Sequence, residues 1–184
     1  MGASAAGILI RASDHLLSDE LRRKALEIAL GEHNTLAKGT SRTWGDVGKY
    51  QEAIGLSSGG HDYCVCFLYW CYEQAAAALD AEQGCCVYGN PLPRQGLVSK
   101  LYTDALRQGR LVDRPKAGDI FIRGKAEFKH VGFVSEDPEP GSHWMFTMEG
   151  NTKGEDPNNK HVLRWGAFKS SKKKDLSTCY FARY

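Results

Sequence analysis

The chain has 184 residues, of which 42% are hydrophobic and 25% are charged, and its formal net charge at neutral pH is +2. This length suits a single domain over residues 1–184 with a core at about 18–184 that folds unaided. The small net charge argues against a nucleic acid partner, and no apolar run reaches the roughly 18 residues of a membrane span.

The amino-terminal stretch MGASAAGILIRAS contains a short apolar patch without a basic leading region. A patch this short does not provide the core of a cleavable signal peptide. We therefore expect the chain to be cytoplasmic when made. We expect it to reach any target outside the cell by a route that does not use a cleavable signal peptide.

The first half of the chain carries helical patterns. Apolar residues recur with a period near 3.6 after Ser18, which can cap a helix that ends near Gly31. A short helix is predicted at 49–55. A buried helix of about four turns is predicted from Cys64, and a further helix at 97–110.

After Pro115 the apolar pattern changes to a period of two. Short runs rich in β-branched and aromatic residues follow at 118–123, 129–136, 143–150, 161–165 and 178–184. The order of helices first and strands later predicts an α+β fold, with N-terminal helices packed on a C-terminal antiparallel sheet of about five to six strands. The polar segment 151–160 is expected to be a loop.

The six cysteines are poorly spaced for a disulfide framework, because Cys64 and Cys66 nearly adjoin and Cys85 and Cys86 are neighbours. We interpret most of them as reduced and buried. The sequence contains no CxxC pair, and we expect no metal site. The basic run of Lys169 with 172–174 is interpreted as a solvated loop rather than a contact with an anionic surface.

Cys64 is the candidate nucleophile because it follows a turn that contains Gly59, Gly60 and Asp62. If Asp62 is the N-cap, Cys64 lies in the first turn of a helix, where free N–H groups and the helix dipole favour a thiolate. The same N–H groups can stabilise an oxyanion on an attacked carbonyl. Cys66 and Cys71 fall further into the helix and are interpreted as structural.

A cysteine nucleophile needs a base, and His130 lies among apolar residues in a predicted strand. The following strand ends with Glu149 and Asn151, which are two residues apart and could face the same side. Glu149 would orient the imidazole as an ionised acceptor, whereas Asn151 would be a neutral acceptor or a binder of substrate amides. The alternative is that His130 is a structural residue, since a Cys-then-His order arises easily by chance.

Three segments together resemble the CHAP domain, the cysteine- and histidine-dependent amidohydrolase/peptidase family, which is related to NlpC-type cell-wall peptidases. The segments are DYCVCFLYWCYEQA, PKAGDIFIRGKAEFKHVGFVSE and TMEGNT. The register of the family motif selects Cys64 rather than Cys66. Tyr63 stands where the family commonly has tryptophan, and the resemblance extends from about residue 18 to 184.

The resemblance implies a papain-like fold and hydrolysis of an amide bond in peptidoglycan, either N-acetylmuramoyl-L-alanine or a bond in the stem or cross-bridge peptide. It implies that Cys64 attacks the carbonyl, that His130 transfers protons, and that Glu149, with Asn151 nearby, holds His130. Tyr50 and Tyr63 are the candidates for the oxyanion hole or for substrate binding. The reaction so implied requires no cofactor and no metal.

Peptidoglycan is therefore the expected partner. The chain would suit an antibacterial effector, with a cognate immunity protein that protects its maker, or a phage lysin released by a holin. Two alternatives remain open. One keeps the fold and makes the protein a thiol protease or acyltransferase that acts on proteins, and the other is a catalytically inactive binding module.

Overall fold

The computed structural model describes residues 5–38, 45–57, 61–125, 127–156, 159–170 and 173–184. The helices within these ranges are α1 (Ala5–Gly31), α2 (Gly48–Ala53), α3 (Cys64–Gln83) and α4 (Val98–Arg107). The strands are β1 (Thr35–Leu36), β2 (Leu111–Val112), β3 (Ile120–Arg123), β4 (His130–Val134), β5 (Trp144–Met145), β6 (Thr147–Asp156), β7 (Asn159–Lys169), β8 (Lys174–Asp175) and β9 (Cys179–Ala182). In the ranges described, no helix combines the length and the apolar character that crossing a membrane requires.

Helix α1 is longer than the sequence pattern predicted. It begins at Ala5, so Ser18 lies inside the helix, and the prediction of a cap at Ser18 was wrong. The periodic pattern itself is confirmed, because Leu21, Ala25 and Ala29 are buried in the main core. These residues recur at a spacing of four and so lie on one face of the helix, which packs against α3.

Helix α3 crosses the core and carries three of the six cysteines. It extends over 20 residues, which is longer than the four turns predicted, and ends before Gly84, whose φ of 65° is the left-handed conformation typical of a helix end. All six cysteines lie in described residues and are free, and four of them are buried. Cys85 and Cys86, which follow the helix, are exposed.

The main sheet is antiparallel and has seven strands in the order β1-β7-β6-β4-β3-β9-β2, and β5 pairs with β8 in a separate two-stranded sheet. The α+β fold is therefore confirmed. The sheet is larger than the five to six strands expected because the two-residue strands β1 and β2 add to its edges. Strands that short leave no periodic pattern in a sequence.

The polar segment predicted to be a loop at 151–160 instead continues a long hairpin. Strand β6 extends to Asp156 and β7 begins at Asn159, with Lys153 paired to Trp165 and Gly154 to Arg164. The loop prediction was wrong because it took polar composition as a sign of irregular structure. The turn predicted at Gly59 and Gly60 lies outside the described residues.

Two glycines allow β6 to approach its neighbours closely. A Cβ added at Gly132 of β4 would lie 2.7 Å from the Met148 carbonyl oxygen and 2.9 Å from Glu149 Cγ. A Cβ added at Gly150 would lie 2.5 Å from Phe67 Cβ of α3. All three separations are too short for a real side chain, so these glycines set how closely β6 lies to β4 and to α3.

Candidate active site

Four of the predicted site residues line one cleft, which has a volume of about 540 Å³. They are Cys64 from the start of α3, His130 from the start of β4, and Glu149 and Asn151 from β6. Strands β4 and β6 pair through Phe133 and Met148. The helix and the two strands therefore bring a thiol, an imidazole and a carboxylate together.

Cys64 is the first residue of α3. The N-cap is Tyr63, whose carbonyl accepts the Phe67 N–H at 2.8 Å, so the assignment of Asp62 as N-cap was wrong by one residue. The hydrogen bond from Phe67 N–H is the first one within the helix. The backbone N–H groups of the residues before Phe67 therefore point toward the N-terminal end of α3. The positive end of the helix dipole consequently lies at the Cys64 thiol.

Asp62 instead contributes to the wall of the cleft. Its Oδ1 accepts a hydrogen bond from Asn151 Nδ2 at 2.9 Å, which joins the segment before α3 to β6. Asn151 adopts a φ of 55°, in the left-handed region, at a shift in the β6–β7 register. The structure thus places Asn151 in the cleft with its amide directed to Asp62.

His130 is buried between two partners. Its Nε2 lies 2.8 Å from Glu149 Oε2, and the ring lines the same cleft as the Cys64 thiol. Because Nε2 contacts the carboxylate, Nδ1 is the ring nitrogen that remains for the thiol. Burial lowers the pKa of His130, but the hydrogen bonds to Cys64 and Glu149 outweigh it and raise that pKa to about 9.

Glu149 is almost fully buried and has three partners. Oε2 contacts His130, while Oε1 accepts the Thr147 hydroxyl and contacts the Lys174 ammonium. Burial raises the pKa of Glu149, but the hydrogen bond with His130 and the charge of Lys174 lower it to about 2. The carboxylate is therefore ionised at neutral pH and can orient the imidazole.

Sequence reasoning missed Lys174 and Thr147. Lys174 was interpreted as part of a solvated loop, whereas it lies in β8 with its side chain 22% exposed and its ammonium on Glu149. Nothing in the sequence distinguishes it from Lys173, which is exposed. Thr147 could have been found, because it precedes Glu149 by two residues in a strand and so shares its face.

The two tyrosines predicted for the oxyanion hole lie beneath the start of α3. Tyr50 is fully buried, donates its hydroxyl to Glu32 Oε2 at 2.5 Å, and has a pKa raised by burial. The ring of Tyr63 stacks on that of Tyr50 at a centroid distance of 5.7 Å. Neither belongs to the cleft lining that the described residues define, so a role in catalysis stays a prediction for both.

Replacing Glu149 with glutamine should lower kcat/KM by roughly 10²-fold, because the imidazolium loses its buried counter-charge. The hydrogen bond with Glu149 helps to raise the pKa of His130, so its loss should also move the alkaline fall of activity to lower pH. A pH–rate profile measures both effects. Glu136→Gln, at an exposed position after β4, is the matched control, and an unshifted alkaline limb in Glu149→Gln would contradict this role.

Replacing Lys174 with methionine should lower kcat/KM by about tenfold, because Glu149 loses its second cation. The pKa of Glu149 is depressed partly by Lys174, so without the ammonium it should rise. The carboxylate is then protonated at a higher pH, and activity should fall earlier on acidification. The acid limb of the pH–rate profile tests this, with Lys173→Met as the exposed control and Lys174→Arg as the variant that should restore the wild-type limb.

The described residues contain no group of three His, Cys, Asp or Glu side chains that could hold a metal ion. The CHAP domain family model matches residues 56–151, which is more than half of the chain. The match includes Cys64, His130, Glu149 and Asn151, and it confirms the resemblance found in the sequence. No curated protein and no solved structure gives a significant match to the chain.

Proposed function

The chain belongs to the CHAP domain family, whose members are amidase- or peptidase-type hydrolases of peptidoglycan, and on that premise we propose that it cleaves an amide bond of peptidoglycan by a thiol mechanism. The observation that carries the proposal is the position of His130, which lies 2.8 Å from the Glu149 carboxylate and lines the same cleft as the Cys64 thiol. This arrangement supports the proposal, because a thiol, an imidazole and a carboxylate share one cleft, as a nucleophile, its base and an orienting group would require.

The first half of the reaction forms a thioester. Glu149 accepts the Nε2–H of His130, so Nδ1 is free to take the proton of the Cys64 thiol. The thiolate then attacks the amide carbon, and the carbonyl electron pair moves to the oxygen. The N–H groups in the first turn of α3 face that oxyanion and stabilise it.

The second half releases the products. His130 donates its Nδ1 proton to the departing amine nitrogen, the C–N bond breaks, and the acyl group remains on Cys64 as a thioester. His130 then takes a proton from a water molecule, and the resulting hydroxide attacks the thioester carbon. The C–S bond breaks, the thiolate leaves, and the acyl product departs with a new carboxyl group.

The second thiol of the helix is unsuited to this chemistry. Cys66 is fully buried, and burial together with the neighbouring Cys64 raises its pKa to about 12. Its Sγ lies 3.8 Å from the Asp62 carbonyl oxygen, turned back toward the chain before the helix. Cys64 is therefore the thiol that the mechanism requires.

The bond that is cleaved is either N-acetylmuramoyl-L-alanine or an amide in the stem or cross-bridge peptide. Both reactions use the same acyl transfer to Cys64. We further propose an antibacterial setting, as an effector whose maker holds a cognate immunity protein or as a phage lysin.

Digestion of purified peptidoglycan followed by mass spectrometry of the soluble fragments tests the proposal. Wild-type protein should produce fragments with one new amine and one new carboxyl group, and Cys64→Ala should produce none. If new amines arise only on a protein library, the protein is a thiol protease. If the protein binds peptidoglycan without changing it, the chain is a binding module, and either result would refute the proposal.

A further inference from the structure

Two cations stand on opposite sides of His130, and neither has an ion pair with a described residue. They are Arg123 at the end of β3 and Lys153 in β6, and both line the cleft. We infer that the cleft selects peptides with free carboxylates beside the scissile amide, and that these two residues determine this specificity. The inference rests on the proposed function and names the chemical class of its substrate.

The position of Arg123 follows from the sheet register. Arg123 pairs with His130 of β4 on one side and with Cys179 of β9 on the other. Residues directly opposite in antiparallel strands share a face, with Cβ atoms about 4.5–5.5 Å apart. The exposed Arg123 side chain therefore emerges beside the imidazole, on the side of the cleft away from β6.

Lys153 occupies the opposite side. It lies two residues after Asn151 in β6, and its ammonium is 5.2 Å from the centroid of the Trp165 ring, its partner across the hairpin. This cation–π contact holds the side chain without neutralising its charge. Since β4 lies between β6 and β3, Lys153 and Arg123 flank the strand that begins with His130.

The other charged groups of the cleft have partners. Lys129 pairs with Glu127 at 2.9 Å, Glu149 contacts both His130 and Lys174, and Asp62 accepts from Asn151. The lining as a whole holds more cations than carboxylates, namely Arg123, Lys129, Lys153 and Lys174 against Asp62 and Glu149. The surplus positive charge thus rests on Arg123 and Lys153.

A free carboxylate on the substrate complements this surplus, and a carboxamide does not. The guanidinium of Arg123 can donate two parallel hydrogen bonds to a carboxylate, a charge-assisted contact that an uncharged amide makes only weakly. The stem peptides of peptidoglycan carry carboxyl groups that are either free or amidated. The two forms should therefore be hydrolysed at different rates.

The experiment uses one batch of purified peptidoglycan, half of it with carboxylates converted to carboxamides by carbodiimide and ammonia. Wild-type protein should hydrolyse the free-carboxylate form about tenfold faster than the amidated form, because the amidated form lacks one charge-assisted contact. In Arg123→Gln and Lys153→Gln the ratio of the two rates should fall toward one. Lys116→Gln, an exposed lysine outside the cleft, should keep the wild-type ratio.

The possible results distinguish a failure of the carboxylate preference from a failure of the proposed hydrolase function. If wild-type protein hydrolyses both forms at the same rate, or if both cleft variants keep the wild-type ratio, the carboxylate preference is refuted while the hydrolase proposal stands. If neither form is hydrolysed, the proposed function fails and the inference fails with it.

Discussion

Replacement of Cys64 with alanine is expected to abolish peptidoglycan hydrolysis, with a loss of kcat/KM on the order of 10⁴ or more. The described cleft offers no second thiol, because Cys66 is buried with a pKa raised to about 12 and burial also raises the pKa of Cys71 well above its usual range. Release of soluble muropeptides measures the effect.

Cys66→Ala is the matched control, since it removes a thiol from the same turn of α3. It should cost some stability by leaving a small cavity, yet retain hydrolysis at temperatures where the variant is folded. If Cys66→Ala abolishes hydrolysis while Cys64→Ala does not, the nucleophile has been assigned to the wrong cysteine.

Alkylation by iodoacetamide provides an independent test of the same thiol. Cys85 and Cys86 are exposed and would also react, so the measurement needs the Cys85→Ser, Cys86→Ser background. In that background Cys64 should be modified faster than free cysteine at neutral pH. A slower rate would contradict the thiolate that the mechanism uses.

Replacement of His130 with alanine should cause a loss of the same order, because the base and the later proton donor are the same imidazole. The effects of Cys64→Ala and His130→Ala should not multiply. Residues that act as one unit are non-additive, so the double variant should be no slower than either single variant.

His143→Ala, at an exposed position outside the cleft lining, is the matched histidine control and should leave the rate unchanged. Steady-state rates of the two single variants, the double variant and the control test whether the effects of Cys64→Ala and His130→Ala multiply. A further multiplicative loss in the double variant would show that Cys64 and His130 act independently, against the proposed mechanism.

The elements that carry the site could be predicted from the sequence because their signals are local. A helix pattern that begins at Cys64 and period-two patterns around His130 and Glu149 depend only on neighbouring residues. The residue pattern by itself did not decide between Glu149 and Asn151 as the partner of the imidazole, and only the family resemblance favoured Glu149. The pattern also does not reveal the register shift between β6 and β7 that falls between Glu149 and Thr152.

The features that were missed depend on contacts between distant parts of the chain. Lys174 reaches Glu149 because β8 pairs with β5, just before the strand that carries the carboxylate. The hairpin of β6 and β7 holds a polar segment in regular structure through cross-strand pairs such as Lys153 with Trp165. Local composition favours a loop in both places, and tertiary pairing overrides it.

The absence of a side chain at Gly150 limits how the sequence of this protein can change. Any larger side chain there would meet Phe67 and push β6 away from α3, together with the Glu149 carboxylate that lies against His130. Arg123 and Lys153 are exposed side chains that line the cleft, so substitutions at these positions should cost the fold little. The close contact between α3 and β6 at Gly150 does not tolerate such changes. Related proteins with a different specificity should therefore still have glycine at this position.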